Sequence, residues 1–327
     1  MNRRAMRSAL SAIVALASYA AAFAAAPIAN AEEPSHPLGA AFLDDRAIRA
    51  ALLDEGSALV EAGQTLPLET VQEQLKRKRS VLPAPAPENP FVPAPGDLAA
   101  NLEAASLIVA RVRYCCDGCG EYESNAASGF VISPDGLAVT NYHVLDADAD
   151  EEEQRSGYIV VTRSGLTLPI AEVLAADEAA DVALVRLDVG EGRSLPFLPL
   201  ASAGRVGENV HCISNPAGRF FSYSRGVVTR RHLIRRSSGR TPRLTVTAEY
   251  ARGSSGAPMI NDRGEVIGLV TTTDSVYYTE RRGQQRDLQM VFRDCVPVES
   301  LRALFAPAPT DEGETLSADT AEPTDAV

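Results

Sequence analysis

The stretch "RGSSGAP" (residues 252–258) sets two adjacent hydroxyls, Ser254 and Ser255, in a frame of glycines. A serine hydroxyl attacks a carbonyl when a base takes its proton, a carboxylate orients that base, and donors await the developing oxyanion. The chain offers four histidines as bases, His36, His143, His211 and His232, and all of them precede the serines. His143 lies in "GLAVTNYHVL", where a short apolar strand runs into a loop and presents an imidazole at a rim. Asp181 opens the strongly apolar strand "DVALVRL", where a carboxylate is partly desolvated and needs a partner such as an imidazole N–H. Alone, a rim histidine is usually solvated, and an aspartate before a strand is usually a turn residue. In the order His143, Asp181, Ser255, each in a fitting setting, they point to nucleophilic attack on a carbonyl.

That order excludes an α/β-hydrolase, whose histidine follows its serine, and the G-x-S-x-G elbow fails because Ala257 replaces the last glycine. A subtilisin-like arrangement needs helices that the surrounding sequence lacks. The runs "SLIVARVRY", "ASGFVIS", "GLAVTNY", "GYIVVTR", "TLPIAEVL" and "DVALVRL" are short, apolar or alternating, and separated by turn residues. A second set follows, from "ENVHCIS" and "SRGVVTRRHLI" through "RLTVTAEY" and "APMINDRGEVIGLVTTT" to "QMVFRDCVP". Many short strands at this spacing predict an all-β fold, with "VESLRALF" (298–305) as one closing helix.

Both ends differ in texture from this centre. Residues 1–31 carry early arginines, an Ala-rich apolar run and Ala29-Asn30-Ala31, the pattern of a cleaved export signal. The expected location is periplasmic or secreted, with a membrane tether if the segment stays uncleaved. Residues 32–81 show helical spacing at Ile48, Leu52 and Leu59, then at Leu68, Val71 and Leu75, and Lys76 to Arg79 close the second helix. Residues 82–97 are a Pro-rich linker, and 306–327 an acidic tail expected to be disordered. A net charge of −12 argues against a nucleic-acid partner.

The blocks "TNYHVL", "DVALVRL" and "RGSSGAPMI" resemble the three active-site blocks of trypsin-like serine peptidases, above all the HtrA/DegP-type protease domain. "ISNPAG" (213–218) and "RGVVT" (225–229) resemble that branch's entry into its second barrel. The resemblance covers roughly residues 100–305. It implies two six-stranded antiparallel chymotrypsin-like barrels, at about 98–200 and 201–305, with an N-terminal helical extension, a short C-terminal helix and no cofactor or metal. Ser255 would attack, His143 act as base and Asp181 orient it, while the N–H groups of Gly253 and Ser255 form the oxyanion hole. Ser254 falls in the variable slot, where most relatives carry Asn. PDZ domains, which follow the protease in HtrA proteins, are not expected in the short stretch after Phe305. Substrates would be proteins or peptides, and homo-oligomerisation stays open.

Further features carry weaker expectations. Glu249, six residues before Ser255, stands where trypsin-like enzymes place the base of the primary specificity pocket, and Thr271, Thr272 and Thr273 fall on the strand expected to wall it. The arginine-dense hairpin from Arg230 to Arg243 is a surface for anionic lipid or an acidic partner, weighed against a plain solvated loop. Cys115, Cys116 and Cys119 in "YCCDGCG" suggest a small loop disulfide using Cys119. Two rival functions remain: a protease-fold binding or chaperone-like protein with little turnover, and a metal- or thiol-redox module centred on Cys115–Cys119.

Overall fold

The computed structural model describes residues 36–85, 98–116, 118–146, 155–236, 239–281 and 284–306. The segment expected to be an export signal, most of the Pro-rich linker and the acidic tail lie outside the described residues. Among the described residues no helix is long and apolar enough to cross a membrane.

Two helices precede the strands. Helix α1 (Asp45–Glu61) starts where the Asp44 carboxylate accepts the N–H groups of Arg46 and Ala47. It ends at Gly63, whose φ of 66° lets the chain turn back so that the Gln64 N–H reaches the Leu59 carbonyl. Helix α2 (Leu68–Leu75) follows Pro67. Arg77, just beyond it, bonds Glu172 and the Val173 carbonyl, so part of the basic run docks on a strand. A third helix, α3 (Leu98–Ala105), was not expected from the sequence; its Leu102 and Ala105 are fully buried.

The first six strands are β1 (Ser106–Tyr114), β2 (Tyr122–Val131), β3 (Leu137–Thr140), β4 (Ser156–Thr162), β5 (Thr167–Asp177) and β6 (Val182–Leu187), with a single helical turn α4 (Tyr142–Leu145) after β3. They close into an antiparallel barrel in the order β1-β2-β3-β6-β5-β4. The next six are β7 (Asn209–Ser214), β8 (Ser222–Arg236), β9 (Gly239–Val246), β10 (Pro258–Ile260), β11 (Val266–Arg281) and β12 (Gln284–Pro297). They close as β7-β8-β9-β12-β11-β10, which is the same order repeated. The short helix α5 (Val298–Arg302) follows. The loop after the third strand of each barrel is therefore topologically equivalent, and these two loops carry His143 and Ser255.

Strands β1, β3, β4 and β6 are buried on both faces over most of their length, which explains runs such as "SLIVA" that do not alternate. Ile108, Ala110 and Val112 share one apolar cluster with Ile48 and Leu52 of α1. Leu107 and Val109, facing the other way, share a second with Leu68, Val71 and Leu75 of α2. Fully burying a side chain of this size contributes on the order of 1.5–3 kcal/mol, so both N-terminal helices are integral to the barrel's packing. Beyond them, Ser80 N–H bonds the Leu304 carbonyl and Ala306 N–H the Leu82 carbonyl, tying the linker's start to the residues just after α5.

Candidate active site

His143 sits on α4, not in an open loop. Leu145, fully buried, pins the turn to the barrel. Just before it, the buried Thr140 donates its hydroxyl to the Ser128 carbonyl at 2.9 Å, and Asn141 donates its amide to the Asp181 carbonyl at 2.7 Å. Asp181 ends the β5–β6 turn with its N–H on the Asp177 carbonyl. Its φ of 66° is left-handed, a region that aspartate enters more readily than most residues.

The Asp181 carboxylate collects three donors. His143 Nδ1 lies 2.9 Å from Oδ1 and 3.0 Å from Oδ2, and the His143 backbone N–H reaches Oδ1 at 3.1 Å. The Thr271 hydroxyl, from β11 of the second barrel, donates to Oδ2. The carboxylate side chain is 8% exposed while the imidazole is 49% exposed. Held from behind in this way, the ring presents its far nitrogen, Nε2, to the cleft.

The two serines separate cleanly. Ser254 is fully buried, with its hydroxyl 3.4 Å from the Ala251 N–H. Ser255 is partly exposed and lines a cavity of 280 Å³ together with His143, Arg252 and Gly253. The Arg252 carbonyl is tied down by the Ala217 N–H at 2.7 Å. A trans peptide is planar, so the Gly253 N–H points the opposite way from that carbonyl. Among the described residues neither the Gly253 nor the Ser255 N–H has an acceptor in the protein.

Gly253 is needed for two reasons. Its φ is 96°, and a Cβ there would stand 2.5 Å from the Asn215 carbonyl oxygen. Gly253→Ala is expected to displace the donor and lower kcat about a hundredfold or more, with KM changed far less; steady-state kinetics on a peptide substrate check this.

Residues that the sequence reading missed set this loop. Ser128 of β2 donates its N–H to the Ser255 carbonyl at 2.9 Å and its hydroxyl to the Gly253 carbonyl at 2.9 Å. Asn215 is 2% exposed; its amide reaches the Leu107 and Ala127 carbonyls at 3.1 Å and its oxygen accepts the Phe221 N–H at 3.0 Å. Both lie in stretches already singled out, "ASGF" and "ISNPAG". Their role rests on contacts across the barrels, and no local pattern reports those.

The expected specificity residues are not brought together. The Glu249 side chain is 83% exposed, with its carboxylate 3.6 Å from Arg293, and it lines neither cavity of the site. Glu249 lies in the segment after β9, where its neighbours Ala248 and Tyr250 are the buried residues and its own side chain is left in solvent. Thr271 is buried and donates its hydroxyl to Asp181, while Thr272 and Thr273 are exposed on β11. On the β8–β9 hairpin Arg230, Arg235 and Arg240 are exposed, but Arg243 is buried and leaves the expected basic surface.

The cysteines of the β1–β2 loop are free thiols in place of the expected disulfide. Cys116 and Cys119 sulfurs lie 3.3 Å apart, hydrogen-bond spacing and far from a bond length of about 2.05 Å. A hydrogen bond from the Glu121 backbone, above all, draws the Cys119 thiol below its ordinary value, whereas hydrogen bonds to Cys119 and Cys116 push Cys115 up to about 11. Burial pushes Cys212 up to about 12 and Cys295 well above the usual thiol range. More thiolate means faster alkylation at a given pH. Iodoacetamide at neutral pH under reducing conditions should therefore modify Cys119 ahead of Cys115, and reach Cys212 and Cys295 only on unfolding. Peptide mass mapping over time reads the order.

Two closed six-stranded barrels with histidine, aspartate and serine converging between them define the trypsin-like class of peptidase fold. In agreement, the family profile described as "Trypsin-like peptidase domain" matches residues 127–269. Over 144 residues the chain is 36% identical to the "Probable periplasmic serine endoprotease DegP-like" of Ectopseudomonas mendocina, covering 43% of this chain and 28% of that protein. It is 31% identical over 150 residues to the "Putative serine protease HhoA" of Synechocystis sp., covering 44% and 36%. Residues 127–269 are thus similar to the trypsin-like peptidase domain, and the region resembles DegP-like and HhoA serine proteases. The chain spans about 28% of the length of the first DegP-like relative it matches.

Proposed function

We propose that this protein is an exported serine endopeptidase that hydrolyses peptide bonds of extracytoplasmic proteins through an acyl-enzyme. His143 Nε2 takes the Ser255 proton as Oγ attacks the scissile carbonyl. Asp181 fixes the proton-bearing Nδ1 toward itself and stabilises the imidazolium that forms. The Gly253 and Ser255 N–H groups receive the oxyanion, the imidazolium then protonates the leaving amine, and water repeats the sequence on the acyl-enzyme. The observation that carries this reading is the carboxylate of Asp181, buried and held by three donors, behind an imidazole that shares one cleft with Ser255. Export follows from the signal-like residues 1–31, and the DegP-like relative's name agrees, since it reads periplasmic.

A fluorophosphonate probe tests the nucleophile directly. Wild-type protein should label at one site, and Ser255→Ala should lose the label. Labelling that persists in Ser255→Ala, or its absence from wild type with and without protein activators, sinks the assignment; the second result favours a protease-fold binding protein.

A further inference from the structure

A second cavity of 360 Å³ adjoins the cleft, and two guanidinium groups line it. Arg252 comes from the nucleophile loop. Arg49 comes from α1, outside the region that matches the peptidase profile. Both side chains are exposed, and among the described residues neither has a carboxylate within salt-bridge distance. In a chain of net charge −12 they set two unmatched positive charges beside the cleft.

Arg49 is held in place. Its guanidinium lies 5.7 Å from the centre of the Phe220 ring, within cation–π range. One helical turn earlier, Asp45 accepts the Phe220 N–H at 3.0 Å, clamping α1 to the loop that supports Gly253. At Gly218 a Cβ would stand 2.1 Å from Arg49 Nη2, so glycine there makes room for the guanidinium.

The direction of the substrate locates this cavity. The leaving amine takes its proton from His143, so the residues after the scissile bond cross the cleft lined by His143, Asn125 and Arg252. The second cavity continues from there, sharing Asn125, Arg252 and Gly253. Beside it, β2 pairs with β3 only at Phe130 and Val131, so among the described residues that edge at Ser124–Ala126 has no ladder partner and can receive an extended backbone.

We propose that Arg49 and Arg252 form a subsite for an acidic side chain one or two residues after the cleaved bond, so that the N-terminal helix sets substrate preference. The inference rests on the peptidase reading above. A carboxylate bridging two guanidiniums makes charge-assisted hydrogen bonds, and the expected preference for Asp over Lys there is about tenfold in kcat/KM. It shrinks as salt screens the pair.

The full-length protein is incubated with a peptide library and the cleaved bonds are mapped by mass spectrometry. Internally quenched peptides are then built on the best-cleaved sequence, with Asp, Ala or Lys at the first and second positions after the bond. Wild type should prefer Asp, Arg49→Gln should abolish the preference while its stem still covers Phe220, and Arg49→Glu should invert it toward Lys. Arg46→Ala, on the same helix but not lining the cavity, should keep it. Cleavage by wild type without an acidic preference, or a preference that survives Arg49→Gln and Arg49→Glu, overturns the subsite and leaves the peptidase reading standing. No cleavage together with no fluorophosphonate labelling overturns both.

Discussion

Ser255→Ala is expected to lower kcat by about a millionfold, the scale seen when a triad nucleophile is removed, while Ser254→Ala keeps kcat within a few fold. The adjacent hydroxyl cannot substitute. Ser254 is fully buried, and its Oγ faces the Ala251 N–H in the turn beneath the cleft. Its removal should cost stability instead, about 1 kcal/mol for one buried hydrogen bond. Ser255→Ala removes only an oxygen from a residue whose carbonyl stays bonded to Ser128, so the loop and the melting temperature should hold. Residual catalysis from the Gly253 and Ser255 N–H groups should leave the variant above the uncatalysed rate. Single-turnover and steady-state assays of both variants, with thermal melts, check the contrast. A loss of comparable size in Ser254→Ala, without unfolding, would contradict it.

Asp181→Asn should lower kcat by about ten-thousandfold with little change in melting temperature. The size follows from the donors around the carboxylate. The His143 backbone N–H cannot rotate, so the amide oxygen of the new side chain must stay at the Oδ1 position. The amide NH2 then takes the Oδ2 position, 3.0 Å from Nδ1, and donates into the ring. That moves the imidazole proton to Nε2, where the base must be empty to accept from Ser255. The Thr271 hydroxyl adapts by turning from donor to acceptor, so the fold survives the change. Kinetics on the same peptide, beside a thermal melt, read the result; a loss below tenfold would show that Asp181 does not set the tautomer.

What the sequence made legible was local or combinatorial. Strand runs and turn residues reported an all-β fold, residue order with local setting pointed to His143 and Asp181, and the match of "RGSSGAPMI" to the family block chose Ser255 over Ser254. The remainder depends on pairing across long sequence separations. Thr271 meets Asp181 only because β11 of one barrel abuts the turn before β6 of the other. Glu249 was placed by counting back from Ser255, yet the buried neighbours Ala248 and Tyr250 fix which face it takes. Tyr250 fills the interior and donates its hydroxyl to the Asp294 and Thr272 carbonyls. Arg49 was hidden for another reason: an exposed arginine on an amphipathic helix has no signature until its neighbours are known. Helix α3 lacked a signal too, because in "LAANLEAA" only Leu98 and Leu102 are large apolar residues and two positions do not define a period.

The division of the site between barrels has a consequence for how the molecule is made. A nascent chain complete only to the end of β6 holds His143 and Asp181, yet lacks Ser255, both oxyanion donors and the Thr271 hydroxyl. On the present reading such a chain can cut nothing, itself included. Ser128, already present on β2, waits for the loop at Gly253 and Ser255 to arrive. Destructive capacity is thereby deferred to the last stage of assembly, and no separate propeptide is needed to impose the delay.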